Sequence, residues 1–159
     1  MAQKIIGIAD LNTGKGGDTL VTYALGSCVG ISLWDKEKQQ GGLVHIMLPS
    51  SRENSSPQDN FRKFADTGIN ELIQSLGLMG SPKAKLEAKI AGGAKMFSTN
   101  STIFNIGERN VEAVRRYLQL MRIPIKGSDT GLDYGRTVVF HTDTGAFEVK
   151  ATTKKTVIL

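Results

Sequence analysis

The chain has 159 residues, 40% hydrophobic and 22% charged, which predicts one globular domain over residues 1–159 with its own buried core. A single cysteine excludes an internal disulfide and a zinc site with several cysteines. The single cysteine also favours a cytoplasmic protein. The sequence has no signal-peptide core and no apolar run near ~20 residues, which favours the same location without membrane insertion. The net charge of +5 is scattered, which excludes the basic stripe of a nucleic-acid-binding protein but favours an acidic partner.

The first third of the chain is predicted to form β-strands. Apolar runs and alternation predict strands over residues 4–9, 19–25, 29–34 and 43–48, with a glycine-rich loop over 12–18. A symmetric hairpin of the last two strands would place His45 opposite Ile31, with Cys28 on the other face of the ribbon. Contact between Cys28 and His45 then requires Cys28 to lie in a turn, a shifted register, or an arrangement other than a hairpin.

Two amphipathic helices and further strands are predicted in the rest of the chain. Ser56 and Pro57 have the pattern of a helix start, and an apolar stripe follows at three- and four-residue steps, comprising Phe61, Phe64, Ala65, Ile69, Leu72, Ile73 and Leu76. The second helix runs from Gly107 to a stop before Pro124. Strands are predicted over 85–91 and 123–125, and a hairpin over 136–141 and 146–151. Gly92-Gly93 predicts a tight bend, and Met96 and Phe97 are interpreted as core.

Cys28 and His45 are the residues that suggest catalysis. A thiol beside an imidazole is the minimum equipment for nucleophilic acyl chemistry, provided that a third group fixes which ring nitrogen holds the proton. Alone, the pair is weak evidence for catalysis, because single cysteines and strand histidines are usually packed core residues. Gly26 and Ser27 strengthen it, since a tight turn before Cys28 can present two amide N–H groups to a ligand. Gly30 removes side-chain bulk on the other side.

The remaining candidates for functional sites are the second histidine and a loop that could bind a phosphate. His141 is the rival histidine, but its place beside the predicted turn at 143–145 favours a surface role. The Lys15 loop lacks the spacing of a phosphate-binding loop, so we reject that interpretation. We expect neither a metal nor a cofactor.

Five motifs in order along the chain resemble the CheD family of chemotaxis proteins, the chemoreceptor glutamine deamidases. They are Gly26-Ser27-Cys28-Val29-Gly30, His45-Ile46-Met47-Leu48-Pro49, Ala91-Gly92-Gly93-Ala94, Ile106-Gly107-Glu108-Arg109-Asn110, and the region of Asp129 and Gly135-Arg136. The first two together are highly specific. One departure is Leu132 after Gly131, where the family often has a second glycine; it bears on the local loop shape alone.

The resemblance implies a fold, a site and partners. The fold is α+β, a layered sandwich of mixed β-sheets flanked by two main helices, similar to toxin-type cysteine deamidase domains. In the site, Cys28 is the nucleophile, His45 the base and Thr22 the third member, because these positions match the family's residues. The substrate is a glutamine in the cytoplasmic helices of a chemoreceptor, and a CheC-type phosphatase is a protein partner.

Two other functions stay open at this point. The chain could act chiefly as a non-catalytic binding regulator of the phosphatase, which the basic surface and the Met96-Phe97 pair would suit. Phosphatase stimulation that survives Cys28→Ala would favour that role. Alternatively, it could hydrolyse a small amide, in which case free glutamine would be turned over as well as a receptor.

Overall fold

The computed structural model describes residues 1–52, 60–96 and 105–159. Within these ranges the chain forms strands, two α-helices and two short 3-10 helices at Phe61–Lys63 and Lys83–Lys85. The α-helices are α1 (Ala65–Leu78) and α2 (Ile106–Leu120). The strands are β1 (Gln3–Ile6), β2 (Asp10–Lys15), β3 (Thr19–Leu25), β4 (Val29–Asp35), β5 (Gln40–Ile46), β6 (Glu87–Gly92), β7 (Ile125–Thr130), β8 (Arg136–His141), β9 (Phe147–Ala151) and β10 (Lys154–Ile158).

The strands form two mixed sheets that pack face to face. The outer sheet has the order β1-β3-β8-β9-β10, and the central sheet has the order β2-β5-β4-β6-β7. One apolar cluster, including Leu20, Leu43 and Phe140, fills the space between the sheets. A second, including Val44, Ile69 and Val114, lies between the central sheet and both helices. The predicted layered α+β sandwich is therefore confirmed, and no helix among the described residues is long and apolar enough to cross a membrane.

The central sheet is buried on both faces, as the apolar run over 43–48 predicts. Every residue of β5 is buried. Leu43 contacts the cluster between the sheets, whereas Val44 and Ile46 contact the cluster under the helices. His45 therefore points toward the outer sheet, because side chains alternate along a strand.

The register of the β4–β5 hairpin differs by one residue from the symmetric prediction. His45 lies opposite Gly30, and Val44 lies opposite Ile31. The cause is a four-residue turn over 36–39, in which the Asp35 carboxylate accepts hydrogen bonds from the amides of Glu37 and Lys38. A one-residue shift exchanges the faces of a strand, and this shift gives Cys28 the same side of the ribbon as His45.

The edges of the sheets differ from the prediction in two places. The loop predicted over 12–18 is instead largely strand β2, which runs to Lys15 before the chain reverses at Gly16 and Gly17, both with positive φ. Because β2 lies at the edge of the central sheet, it tolerates turn-forming residues. Strand β10 was not predicted, since all five of its residues are exposed and show no apolar alternation.

The start of the first helix also differs from the prediction. The capping site predicted at Ser56 and Pro57 lies outside the described residues, and α1 begins only at Ala65. Asn60 caps the short 3-10 helix by accepting a hydrogen bond from the Arg62 amide, and Phe64 is extended. The chain therefore changes direction before α1. As a result Phe61, predicted as core, is 43% exposed, whereas Phe64 is buried.

The first turn of α2 packs directly on the bend after β6. A Cβ added at Gly107 would lie 2.4 Å from the Ala94 carbonyl oxygen and 2.7 Å from that of Gly93. The predicted Gly92-Gly93 bend is confirmed, with φ values of 115° and 68°. Close contact between a helix and a bend thus depends on the absence of a side chain.

We expect Gly107→Ala to lower the free energy of unfolding by about 1–3 kcal/mol, because backbone atoms must move to admit the methyl group. The matched control is Gly77→Ala in α1, where an added Cβ meets nothing within 4 Å. That control should be neutral or stabilise by about 0.5–1 kcal/mol, since alanine favours a helix. Urea denaturation of both variants measures the difference, and equal effects would contradict the packing described for Gly107.

Candidate active site

His45 is held between the two sheets by a buried threonine. Its Nδ1 lies 2.7 Å from Thr22 Oγ1, and the same oxygen lies 2.8 Å from the Ile6 carbonyl oxygen. Thr22 and His45 are both fully buried. The structure therefore brings together two of the three residues that the family resemblance singled out, one from each sheet.

These contacts determine which nitrogen of His45 carries the proton. A threonine hydroxyl has one hydrogen, and here Thr22 donates it to Ile6. The contact with Nδ1 must then be a hydrogen bond donated by Nδ1–H to a lone pair of Thr22 Oγ1. Nε2 is left with its own lone pair free. It is buried and has no hydrogen-bond partner among the described residues, Cys28 included.

Cys28 lies in a bend immediately before β4, outside regular strand geometry. It is two residues from Gly30, which is directly opposite His45, and it packs against the apolar cluster between the sheets. Packing against this cluster places Cys28 on the side of the hairpin to which His45 points. The side chain remains partly exposed.

Three successive carbonyl groups fix the bend around Cys28. The Ala94 amide donates to Gly26 O at 2.8 Å, and the Gly93 amide donates to Cys28 O at 2.8 Å. Between them, the Asn110 side chain donates to Ser27 O at 3.0 Å. Each donor comes from the bend after β6 or from α2, so the shape of the cysteine segment depends on residues distant in sequence.

The amide groups of Ser27 and Cys28 have no hydrogen-bond acceptor in another described residue. The Cys28 amide interacts with the sulfur of its own residue. Across a planar trans peptide, N–H and C=O point in opposite directions. With the Gly26 and Ser27 carbonyls turned inward, the amides of Ser27 and Cys28 point away from those donors. The role of Gly26 and Ser27 in presenting amides to a ligand stays a prediction.

Burial keeps both reactive groups uncharged at rest. Burial lowers the pKa of His45 from its ordinary value of 6.5 to about 4. Burial raises the pKa of the Cys28 thiol, an effect opposed by the Cys28 amide. Each shift favours the neutral form of its group, so the free protein holds a neutral imidazole and a protonated thiol rather than an ion pair.

The thiol lies beside clefts rather than at the bottom of one. A cleft of about 820 Å³ follows α2 and includes Gly93 and Leu132, and a second of about 830 Å³ includes Ala24 and Arg136. Neither is lined by Cys28 or His45. Cys28 itself is half-buried.

Other candidates lie elsewhere. His141 is on the opposite face of β8 from the core residue Phe140, and its Nε2 contacts Glu148 at 3.0 Å. Met96, predicted as core, is 46% exposed and packs over Gly26 beside the cysteine segment, while Phe97 lies outside the described residues. Among the described residues, no three histidine, cysteine or acidic side chains cluster in a way that could hold a metal ion.

Sequence reasoning missed the structural role of two buried polar residues. Asn110 bridges Ser27 O and Met47 O, yet it appeared in the sequence only as part of a motif. The sequence signal that could have revealed this role is a polar residue on the buried stripe of α2, which also includes Gly107, Val114 and Leu118. Arg136 is buried and contacts Asp129 Oδ1 at 3.1 Å and the Gly131 carbonyl at 3.0 Å, which holds the loop beside the Gly92-Gly93 bend.

Known proteins resemble this chain along nearly its whole length. Residues 47–151 match the family described as "CheD chemotactic sensory transduction". A protein from Lachnoclostridium phytofermentans named "Probable chemoreceptor glutamine deamidase CheD" is 47% identical over 94% of this chain and 93% of its own length. Relatives of the same name from Syntrophomonas wolfei and Caldanaerobacter subterraneus are each 48% identical over 91% of this chain and 91% and 90% of their own lengths. Identity at this level along nearly the whole sequence indicates common descent, and the chain therefore belongs to the CheD family.

Proposed function

We propose that this protein is a protein-glutamine deamidase that converts specific glutamine side chains of chemoreceptors to glutamate and releases ammonia. The observation that carries the proposal is the hydrogen bond from His45 Nδ1–H to Thr22, which leaves a basic Nε2 on the side of the hairpin where Cys28 lies. Relatives that match this chain over nearly their full length are named for this activity. Cys28 is the nucleophile, His45 the general base and Thr22 the residue that orients the ring.

The first half of the reaction forms a thioester. As the substrate amide approaches, the Cys28 thiol transfers its proton to His45 Nε2, and the sulfur attacks the carboxamide carbon of the glutamine. The carbonyl oxygen becomes an oxyanion, which the amides of Ser27 and Cys28 stabilise by an amount typically worth ~3 kcal/mol per donor. Nε2 then returns its proton to the nitrogen, and ammonia leaves as the C–N bond breaks.

The second half releases glutamate. Water gives a proton to Nε2 while its oxygen attacks the thioester carbon, and the same two amides stabilise the second oxyanion. The C–S bond breaks, the proton passes from Nε2 to the sulfur, and the free thiol is restored. Because both reactive groups are neutral at rest, each attack is coupled to a proton transfer rather than preceded by an ion pair.

The position of Cys28 supports a protein as the substrate. Cys28 is partly exposed and lines neither of the two clefts, so a glutamine on a receptor helix can reach it, whereas free glutamine would lack an enclosing pocket. We further propose a CheC-type phosphatase as a partner. The basic residues Lys95 and Arg115 along the α2 cleft, together with exposed Met96, support a protein docking beside the site.

The proposal also covers the place of the reaction and the extent of the enzyme. A free thiol and a receptor's cytoplasmic helices both point to the cytoplasm. The site draws on both sheets and on α2, which supports a single deamidase domain over residues 1–159.

Replacing Cys28 by alanine should abolish conversion of glutamine to glutamate. Incubating a receptor cytoplasmic fragment with wild-type and Cys28→Ala protein, and measuring the 1 Da mass gain of each glutamine peptide, reports the rate and the sites. We expect a loss of roughly 10³-fold or more, as for other nucleophiles removed from a coupled set. His141→Ala should leave the rate unchanged, and deamidation retained by the Cys28 variant would refute the mechanism.

Thr22 can be tested with two matched variants. Thr22→Val keeps the shape but removes the acceptor for Nδ1–H, so we expect kcat to fall about 10- to 100-fold, as for other residues that orient a histidine. Thr22→Ser retains a hydroxyl and should keep most of the activity. Equal rates in the two variants would show that the hydroxyl does not set the tautomer of His45.

The low pKa of His45 predicts a specific loss of stability in acid. In the unfolded chain the imidazole takes up a proton near pH 6.5, but in the folded chain only near pH 4. Between these values the unfolded state binds more protons, so the free energy of unfolding falls as the pH falls. From pH 7 to pH 5 this one group should cost about 2 kcal/mol.

Urea denaturation of wild-type and His45→Gln protein at both pH values isolates this contribution. The variant lacks the titrating ring, so its stability should fall by about 2 kcal/mol less than that of wild type over the same interval. Parallel losses in the two proteins would mean that His45 is not held neutral by burial.

A further inference from the structure

Asn110 makes a contact that the proposed mechanism does not yet use. It is fully buried on α2, at a position of the stripe otherwise occupied by Gly107, Val114 and Leu118. Its Nδ2 uses both hydrogens, donating to Ser27 O at 3.0 Å and to Met47 O at 2.9 Å. Both partners are acceptors, which fixes the orientation of the amide.

The other end of the same side chain is unsatisfied. Asn110 Oδ1 is buried and has no hydrogen-bond partner among the described residues. A buried acceptor without a partner destabilises a fold, and such groups in native proteins call for an explanation other than packing. An apolar side chain would suit this stripe better, so the amide is explained by what its nitrogen holds.

The two carbonyls belong to the two halves of the candidate site. Ser27 directly precedes the nucleophile, and Met47 follows His45 by two residues. One nitrogen therefore links the segment that carries the thiol to the segment that carries the base. The stretch after Ile46 lies outside β5, and the Met47 and Leu48 amides there donate to the Lys63 carbonyl, so Asn110 adds a link from this stretch to the cysteine segment.

The hold on Ser27 O also determines the direction of a second group. The Ser27 carbonyl and the Cys28 amide belong to one planar peptide unit, so fixing the oxygen fixes the N–H on the opposite side. The Ala94 amide fixes the preceding peptide unit through Gly26 O in the same way. Without Asn110, the unit between Ser27 and Cys28 could rotate about its flanking bonds.

We propose that Asn110 is a positioning residue, which orients the Ser27–Cys28 peptide unit so that the Cys28 amide points at the oxyanion formed during attack. The inference rests on the proposed function. Asn110 does not touch the substrate and acts through the backbone of Cys28. Asparagine is suited to this task because two donors on one short, planar amide can reach two carbonyls. Leucine has no donor, and ionised aspartate has none.

The test compares reactions of Cys28 that do and do not form an oxyanion. Acylation of the thiol by 4-nitrophenyl acetate passes through an oxyanion and needs no receptor, whereas alkylation by iodoacetamide is a displacement at carbon that forms none. Both rates are measured on wild type, Asn110→Leu, Asn110→Asp and the control Gln119→Glu. The control makes the same amide-to-carboxylate change at an exposed position of α2.

We expect the two Asn110 variants to acylate about 10- to 100-fold more slowly, a smaller loss than the ~10²–10³-fold seen when an oxyanion donor is removed. Alkylation should stay near the wild-type rate, and the control should match wild type in both reactions. With a receptor fragment, kcat should fall by the same factor as acylation while KM changes little. Urea denaturation of each variant measures its folded fraction, to which the rates are normalised.

Two results would overturn the inference. Acylation at the wild-type rate in Asn110→Leu would show that the amide is not needed to direct the Cys28 N–H. A parallel fall of alkylation and acylation would show that Asn110 supports the thiol or the fold rather than the oxyanion. Failure of the proposed function has a different signature, in which wild type acylates normally but leaves receptor glutamines unchanged.

Discussion

The site depends on one buried hydrogen bond between the two sheets. Thr22 in the outer sheet and His45 in the central sheet meet at 2.7 Å, and the Ile6 carbonyl takes the only proton that the threonine can give. A backbone carbonyl can only accept a hydrogen bond, so this chain of contacts allows one arrangement of protons. The contact that joins the two sheets therefore also determines which nitrogen of His45 is basic.

The turn of the β4–β5 hairpin determines whether the Cys28 thiol and the His45 ring lie on the same face of the hairpin. The Asp35 carboxylate binds two amides of the turn over 36–39 and so sets the register that places His45 opposite Gly30. A register one residue different would turn Cys28 to the helices instead of the outer sheet. The bend after β6 and Asn110 then hold the shape of the cysteine segment.

The sequence sufficed for the parts that depend on local pattern. Buried β5 and the hairpin of β8 and β9 follow from apolar periodicity, whereas the layered fold class was implied by the family resemblance. Residue chemistry and flanking glycines single out Cys28 and His45, whose roles stay predictions. The hairpin register did not follow, because it depends on how one carboxylate closes a turn. The predictions for Phe61 and for the residues of β2 were wrong for different reasons. The chain changes direction near Phe61, and β2 lies at an edge of its sheet, and both circumstances override local preference. The contacts of Thr22 and Asn110 join residues far apart in sequence, which no periodicity can reveal.

The raised pKa of the Cys28 thiol has a consequence for the lifetime of the protein. Peroxide and other oxidants attack thiolates far faster than thiols, and a sulfur that passes beyond the sulfenic state is lost for good. With no second cysteine in the chain, no intramolecular disulfide can rescue it. Keeping the sulfur protonated between encounters with substrate thus shields an irreplaceable atom from chemical damage.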